Sequence, residues 1–421
     1  MNKQLARAIA RLSLIWDRYK RPVKRTYQVP AMGVAFVYRR LLTGPIFVAV
    51  TGSLGKTQQK NAIAVVLSRL GHVQFDPGTD NRTYDAAKNL LRVRQSHAAC
   101  IQEIGMAGPN TMERPVRLYR PDIALITVIR SDHSADFASR HEHVLEKAAI
   151  IRGLPETGWA ILNADEPDLQ VLRAETRGNI CTYGMATHAD VRATNVVARG
   201  PAPIQFDLCV GGESRAVTTQ LHGVHNVHSV LGAAAVGRVA GLSIDDIAGA
   251  IENIEAASGR MEFVEHDDGV RFLLDDFKAS IGSLPAIADY LQNFDAGAGR
   301  KILVLGSINY GSNDLTGDYA KFVDSVSRSC DEILLVGGFT KSLDITRMPD
   351  VVRFFETTRQ CADDLLPRLK ADDLVVLKCR NMLEHLRRLE ISRRATVNCW
   401  QMHCERKSFC NECGFLESHL D

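Results

Sequence analysis

The chain has 421 residues, 45% of them apolar and 24% charged, with a formal net charge of +2. That composition belongs to a globular protein of about three domain-sized units and excludes disordered, collagen-like and fibrous chains. No run approaches the ~20 apolar residues of a membrane-spanning helix, and the N-terminus shows no signal-peptide core, so the expected location is cytoplasmic.

The charge is uneven. Residues 1–45 carry ten Lys/Arg against a single acid, Asp17, while the remainder is net acidic. Such a basic arm reads either as a contact for the inner membrane surface or an acidic partner, or as a solvated helix docked through Leu5, Ile9, Leu12 and Trp16. Nucleic acid is the weaker partner, because the arm offers few flat side chains and no recognised module.

From Pro45 the chain alternates short β-rich runs with helical stretches, the pattern of a doubly wound α/β unit. The run 46–52 is a strand ending in glycine, followed by a helix through Leu70; 100–106, 123–129 and 159–165 are further apolar strands of a sheet covered on both faces. Residues 181–220 hold short alternating runs with Gly/Pro breaks and predict an antiparallel excursion, and an Ala-rich helix follows at 226–240. A second α/β pattern opens at 259, with strands at 301–307, 332–338, 351–355 and 373–378. The expected division is a basic arm (1–45), a central nucleotide-binding domain (46–258), a Rossmann-like C-terminal domain (259–395) and a Cys-rich tail (396–421).

Strand, then Thr51-Gly52-Ser53-Leu54-Gly55-Lys56-Thr57, then helix is a phosphate-binding loop in its short TGxxGKT form. Its glycines let the backbone N–H groups approach phosphates, the helix N-terminus adds its dipole, Lys56 a charge and Thr57 a magnesium-binding hydroxyl. Glu103 sits inside an apolar strand, where a carboxylate is costly unless paired or bound to a metal; the alternative is a strand end facing solvent. Asp132-His133-Ser134-Ala135-Asp136-Phe137, then Lys147, then the segment 153–165 come next; alone, His133 reads as a loop residue and Lys147 as a surface one.

Six cysteines (Cys100, Cys181, Cys209, Cys330, Cys361 and Cys379) are scattered singly and read as buried thiols of a reducing compartment. Cys399, Cys404, Cys410 and Cys413 fall within fifteen residues and make a candidate zinc set, against an exposed terminus or a disulfide pair as alternatives.

Taken together, these pieces resemble the Mur ligase family, most closely its D-alanyl-D-alanine-adding members. The phosphate loop, Glu103, His133 with Phe137, Lys147, Gly153–Asp165, Gly223-Val224-His225-Asn226, Gly259-Arg260-Met261-Glu262, Asp275-Asp276-Phe277 and Lys378 follow the family's order from about 45 to 385. The resemblance implies an ATP- and Mg2+-dependent ligase that activates a carboxylate as an acyl phosphate and joins it to an amine. By it, Gly52, Ser53, Gly55, Lys56 and Thr57 cradle the phosphates. Glu103 and Thr57 hold one magnesium, His133 serves a second, Lys147 matches a lysine carbamylated in several members, and His225, Asn226, Arg260 and Asp275 contact nucleotide.

Three departures shape the expectation. Only residues 1–45 precede the loop strand, where the family carries a UDP-sugar-gripping domain; Lys278 and Ser280 replace asparagines of the motif after Asp276; and Gln58 replaces a Thr or Ser. The expected function is therefore amide ligation outside standard UDP-MurNAc-tripeptide chemistry. The alternatives are a polymer ligase of the poly-γ-glutamate or cyanophycin kind, and an inactive nucleotide-binding scaffold.

Overall fold

The computed structural model describes residues 28–130, 136–308, 315–343, 348–381, 383–404, 406 and 408–417. His133 and the arm residues Leu5, Ile9, Leu12 and Trp16 lie outside the described residues.

A helix over 28–41 (α1) leads into β1 (Ile46–Thr51), the strand that ends at the phosphate loop, and α2 (Lys56–Leu67) follows the loop. The first sheet then gathers β2 (Val73–Gln74), β3 (Ala99–Glu103), β4 (Ile123–Ile126), β5 (Trp159–Asn163), β6 (Asn179–Gly184), β7 (Val191–Val197), β8 (Gln205–Val210) and β9 (Glu213–Thr218). Its spatial order is β2-β3-β1-β4-β5-β6-β7-β8-β9. Strands β2 to β7 run parallel and β7–β8–β9 antiparallel, so the antiparallel excursion is present but starts later than expected, residues 181–184 belonging to the parallel part.

The central strands are buried along their whole length because both faces are covered. On one face α2, α7 (Asn226–Val239) and α8 (Ile244–Ile251) pack through Ile63, Val66, Val230 and Ile247. On the other, α1, α3 (Thr83–Arg92), α4 (Glu113–Tyr119), α5 (Arg140–Arg152) and α6 (Leu169–Ala174) enclose Phe47, Leu90, Tyr119 and Ile150.

The second sheet has the order β10-β11-β15-β12-β13-β14, formed by β10 (Glu262–Glu265), β11 (Arg271–Asp275), β12 (Lys301–Leu305), β13 (Glu332–Val336), β14 (Val352–Phe355) and β15 (Leu374–Lys378). Only β10 is antiparallel to its neighbour. This is an α/β architecture with two sheets, as the alternating pattern implies.

Both sheets aim the carboxyl ends of their parallel strands at one cleft. In the first sheet β3 and β4 flank β1 on opposite sides, so the chain leaves β1 in one direction and returns in the other. Such a switch point is where open parallel sheets bind ligands. In the second, Asp275 closes β11 and is in register with Lys378 at the end of β15. Among the described residues no helix is long and apolar enough to cross a membrane.

Candidate active site

The cleft between the sheets has a volume of about 590 Å³ and is lined from both of them. Its floor is the phosphate loop. Gly52 has φ 144°, and a Cβ there would meet Thr127 Oγ1 at 1.9 Å, so only glycine lets β1 turn against β4 at this point. Gly55 takes φ 77° immediately before α2, and a Cβ on it would meet nothing closer than Ser229 Oγ at 4.0 Å. The backbone thus opens onto free cleft volume at the helix N-terminus, the geometry that receives phosphate. Ser53 ties the loop to the chain beyond β4, its N–H donating to Val128 O at 2.8 Å and its hydroxyl to Arg130 O at 3.1 Å.

Two ammonium groups converge on the loop. Lys56 Nζ donates to the carbonyls of Gly52 (2.9 Å) and Ser53 (3.1 Å). Lys147 Nζ, carried by α5 and 2% exposed, donates to the same Gly52 carbonyl at 3.2 Å. Lys147 is therefore a buried residue held against the phosphate loop rather than a surface one.

Across the loop, Thr57 Oγ1 donates to Glu103 Oε2 at 2.9 Å, and Asn81 Nδ2 donates to Glu103 Oε1 at 3.0 Å. Glu103 ends β3 in register with Val50 of β1, which brings it beside the loop; it is buried, not a solvent-facing strand end. A carboxylate and a hydroxyl, both hard oxygen donors, beside a phosphate cradle fit magnesium bound together with nucleotide phosphates. Asn81 carried no motif of its own in the sequence.

The upper wall comes from α7 and the second sheet. His225 caps α7 at the cleft; desolvation pushes its pKa down to about 4, so its ring is neutral at physiological pH. Asn226 turns its amide back to His222 O at 2.9 Å and stiffens the helix start. The Arg260 guanidinium packs 4.8 Å from the Phe277 ring centroid; desolvation lowers its pKa, while Asp275, Glu103 and Asp276 favour its charge. Asp275 is ion-paired with Lys378 at 2.5 Å, and Lys378 also donates to Lys278 O at 3.1 Å. Asp276, by contrast, turns away from the cleft into a two-pronged pair with Arg387 at 3.0 and 2.9 Å.

A third wall went unassigned in the sequence. His228 Nε2 lies 2.8 Å from Asp165 Oδ2, and Asp165 also accepts the Met185 and Ala186 amides. Burial alone would raise the Asp165 carboxyl, but these bonds outweigh it and hold its pKa below the usual range. The only sequence signal was the conspicuous Asn163-Ala164-Asp165 after β5; the partner stands 63 residues away.

The zinc expectation for the tail finds no support in the structure. Among the described residues no group of three or more His, Cys, Asp or Glu is placed to hold a metal. Arginines and one histidine neighbour the four thiols. Cys399 Sγ accepts from Arg388 and Cys413 Sγ from Arg406, each at 3.7 Å. Cys404 and Cys410 flank the His385 ring at 3.1 and 3.5 Å. Burial pushes the Cys410 thiol up to about 11, which keeps it protonated. The tail is docked rather than frayed: Phe409 is buried under the Arg387 guanidinium, 4.0 Å from its ring centroid. Of the six scattered cysteines, five are buried and Cys209 is partly exposed.

Comparison with known proteins agrees with this geometry. The Mur ligase middle domain profile matches residues 50–237, and the profile of the Mur ligase glutamate ligase domain matches residues 259–381. The UDP-N-acetylmuramoyl-tripeptide--D-alanyl-D-alanine ligase of Bacillus subtilis is 30% identical over 266 residues, covering 63% of this chain and 56% of its own length. The chain thus spans little more than half of that curated relative. Among solved structures, MurF from Acinetobacter baumannii superposes with a TM-score of 0.77 at 23% identity, over 87% of this chain and 80% of that one. MurF from Thermotoga maritima in complex with ADP gives 0.75 at 19% identity, over 87% and 85%. At these identities the superpositions speak for the fold.

Proposed function

We propose, from the premise that the chain belongs to the Mur ligase family, that it is an ATP-dependent ligase joining a carboxylic acid to an amine. The carboxylate oxygen attacks the γ-phosphorus, the bond to ADP breaks, and an acyl phosphate forms. The amine nitrogen then attacks the acyl carbon, the C–O bond to phosphate breaks, and the amine proton is lost as the amide forms.

The observation that carries this reading is the convergence of Lys56 and Lys147 on the Gly52 carbonyl, opposite the Thr57–Glu103 pair. Phosphoryl transfer asks a protein for positioning and charge neutralisation rather than for a nucleophile, and this floor supplies both. Magnesium, when bound at Thr57 and Glu103, would neutralise phosphate charge. Arg260 and Lys378 reach the cleft from the second sheet. They face the loop across the space where an acyl phosphate would lie, so closure of the two walls would exclude water from it.

The acid is proposed to differ from UDP-MurNAc-tripeptide. Supporting this, Lys278 lines the cleft where the family motif has a neutral asparagine. An acid carrying extra negative charge, as a growing polyanionic chain does, suits that lysine.

The test is phosphate release from ATP and magnesium by the full chain, with acids and amines offered singly and in pairs. Release that requires both partners supports a ligase and names its substrates. Nucleotide that binds but is never turned over with any pair would replace this reading with the scaffold.

A further inference from the structure

Helix α1 divides sharply into two faces. Its inner face is held by Ala35 in the core, with Leu42 buried just past its end, and by Arg39, which stacks 3.4 Å over the Phe47 ring and donates to the Tyr119 and Arg120 carbonyls. Its outer face is apolar and in water. Val29 is 65% exposed, Val34 59%, Val37 58% and Leu41 65%, with Phe36 beside them. Five of the eight large apolar side chains that stand exposed among the described residues are therefore on this one helix of fourteen residues. Isolated exposed apolar residues are ordinary, but a continuous stripe marks an interaction surface.

The surroundings of the stripe are cationic. Arg40 lies along it, packed 3.3 Å over the Phe36 ring, and Arg117 and Arg120, both exposed, are close enough to repel its guanidinium. The sequence immediately before α1 adds eight Lys/Arg in residues 1–27 against Asp17. An apolar helical face rimmed by cations and continued by a basic segment fits a surface that is anionic outside and oily within.

The helix is also placed for such a contact. It packs where β1 begins, at Phe47 and Asp122, whereas the phosphate loop follows the other end of that strand. Six strand residues separate the two by roughly 20 Å. A protein lying on α1 keeps its cleft open to water-borne ATP.

We propose that the outer face of α1, with Arg40, Arg117 and Arg120, seats this protein on an anionic membrane surface. The other occupants fit less well. A second copy paired through this face would set two strongly basic segments against each other, and folding residues 1–27 back over the stripe would crowd eight more cations beside Arg40. Nucleic acid would leave the apolar stripe without a partner.

The test is co-sedimentation of the full chain with phosphatidylcholine vesicles, with and without phosphatidylglycerol, at low and high salt. Binding is expected only with phosphatidylglycerol and should weaken with salt. The double variant Val37→Glu/Leu41→Glu should bind about tenfold or more weakly, with unchanged nucleotide affinity and thermal melting, since both side chains are in water. Val29→Glu/Val34→Glu serves as an independent second variant. No binding to anionic vesicles, or binding that neither variant weakens, overturns the proposal. So does a dimer that the variants dissociate, or a salt-sensitive complex with an oligonucleotide, if either occurs without vesicle binding.

Discussion

The ammonium of Lys147 lies 3.2 Å from the carbonyl oxygen of Gly52, a residue 95 positions earlier in the chain. Lys56 donates to that same oxygen at 2.9 Å. Two cationic side chains drawn to one carbonyl of the loop add positive potential where phosphate charge would lie, and α5 as well as α2 contributes to it.

Removing the α5 contribution separates its role from that of the loop. Lys147→Ala should lower ligation by about a hundredfold or more, the loss typical of a group that stabilises transferring charge. ATP affinity should change less, because Lys56 and the backbone cradle remain. Single-turnover phosphate release checks this. Rescue by short carboxylic acids would assign Lys147 the carbamate role that the family resemblance implies, whereas wild-type turnover would return it to a packing residue.

Lys56→Ala should act earlier. With the loop cation gone, nucleotide binding itself should fall by at least tenfold, while thermal melting without nucleotide stays near wild type because Lys56 is only partly buried. Calorimetric titration with ATP and magnesium measures the first, and a melting curve the second. Unchanged affinity would remove the phosphate loop from the mechanism.

Gln58 follows from a departure in the sequence that the structure explains. Its Nε2 donates to Glu255 O at 3.0 Å and its Oε1 accepts from Ala257 N at 2.7 Å, so it clamps the segment that leads from α8 to Arg260. Gln58→Ala leaves the buried Ala257 N–H and the part-buried Glu255 carbonyl without these partners and should cost about 1–3 kcal/mol of stability. It should also raise the KM for ATP several-fold, with less effect on kcat, by loosening the approach of Arg260. A variant that melts lower but keeps its KM would confine Gln58 to stability.

These residues differ in how legible they were. The loop could be read locally, because Gly52 and Gly55 occupy backbone conformations that other residues avoid and stand between a buried strand and a helix. Glu103 could be suspected locally as a carboxylate in an apolar strand. Lys147 had no local signal; only the co-linear resemblance singled it out, since its partner is far away in sequence. Asn81 and the Asp165–His228 pair were missed for the same reason. In the tail, cysteine spacing suggested a metal, and the neighbours of those thiols, His385, Arg388 and Arg406, are set by packing that spacing does not encode.

A last prediction concerns pH, at a site outside the cleft. Glu384 is buried, its Oε1 accepts the Ser307 hydroxyl, and its Oε2 has no hydrogen-bond partner among the described residues. Gly306 and Gly337 close against it: a Cβ on either would come within 2.8 and 3.0 Å of its carboxyl oxygens. Burial pushes this carboxyl up to about 7 from an ordinary 4.5, with the Ser307 bond only partly opposing the shift. The folded state therefore holds a proton that the unfolded chain gives up more readily. The stability this supplies is complete below the unfolded value of about 4.5 and is lost as pH rises through 7, a swing on the order of 3 kcal/mol. Glu384→Gln keeps the volume and cannot ionise, so it should be more stable than wild type at pH 8 and lose that advantage by pH 4. Paired melting curves across this range measure the difference directly. A gap between the two proteins that does not change with pH would show that Glu384 is already ionised in the fold, with its charge met by a partner.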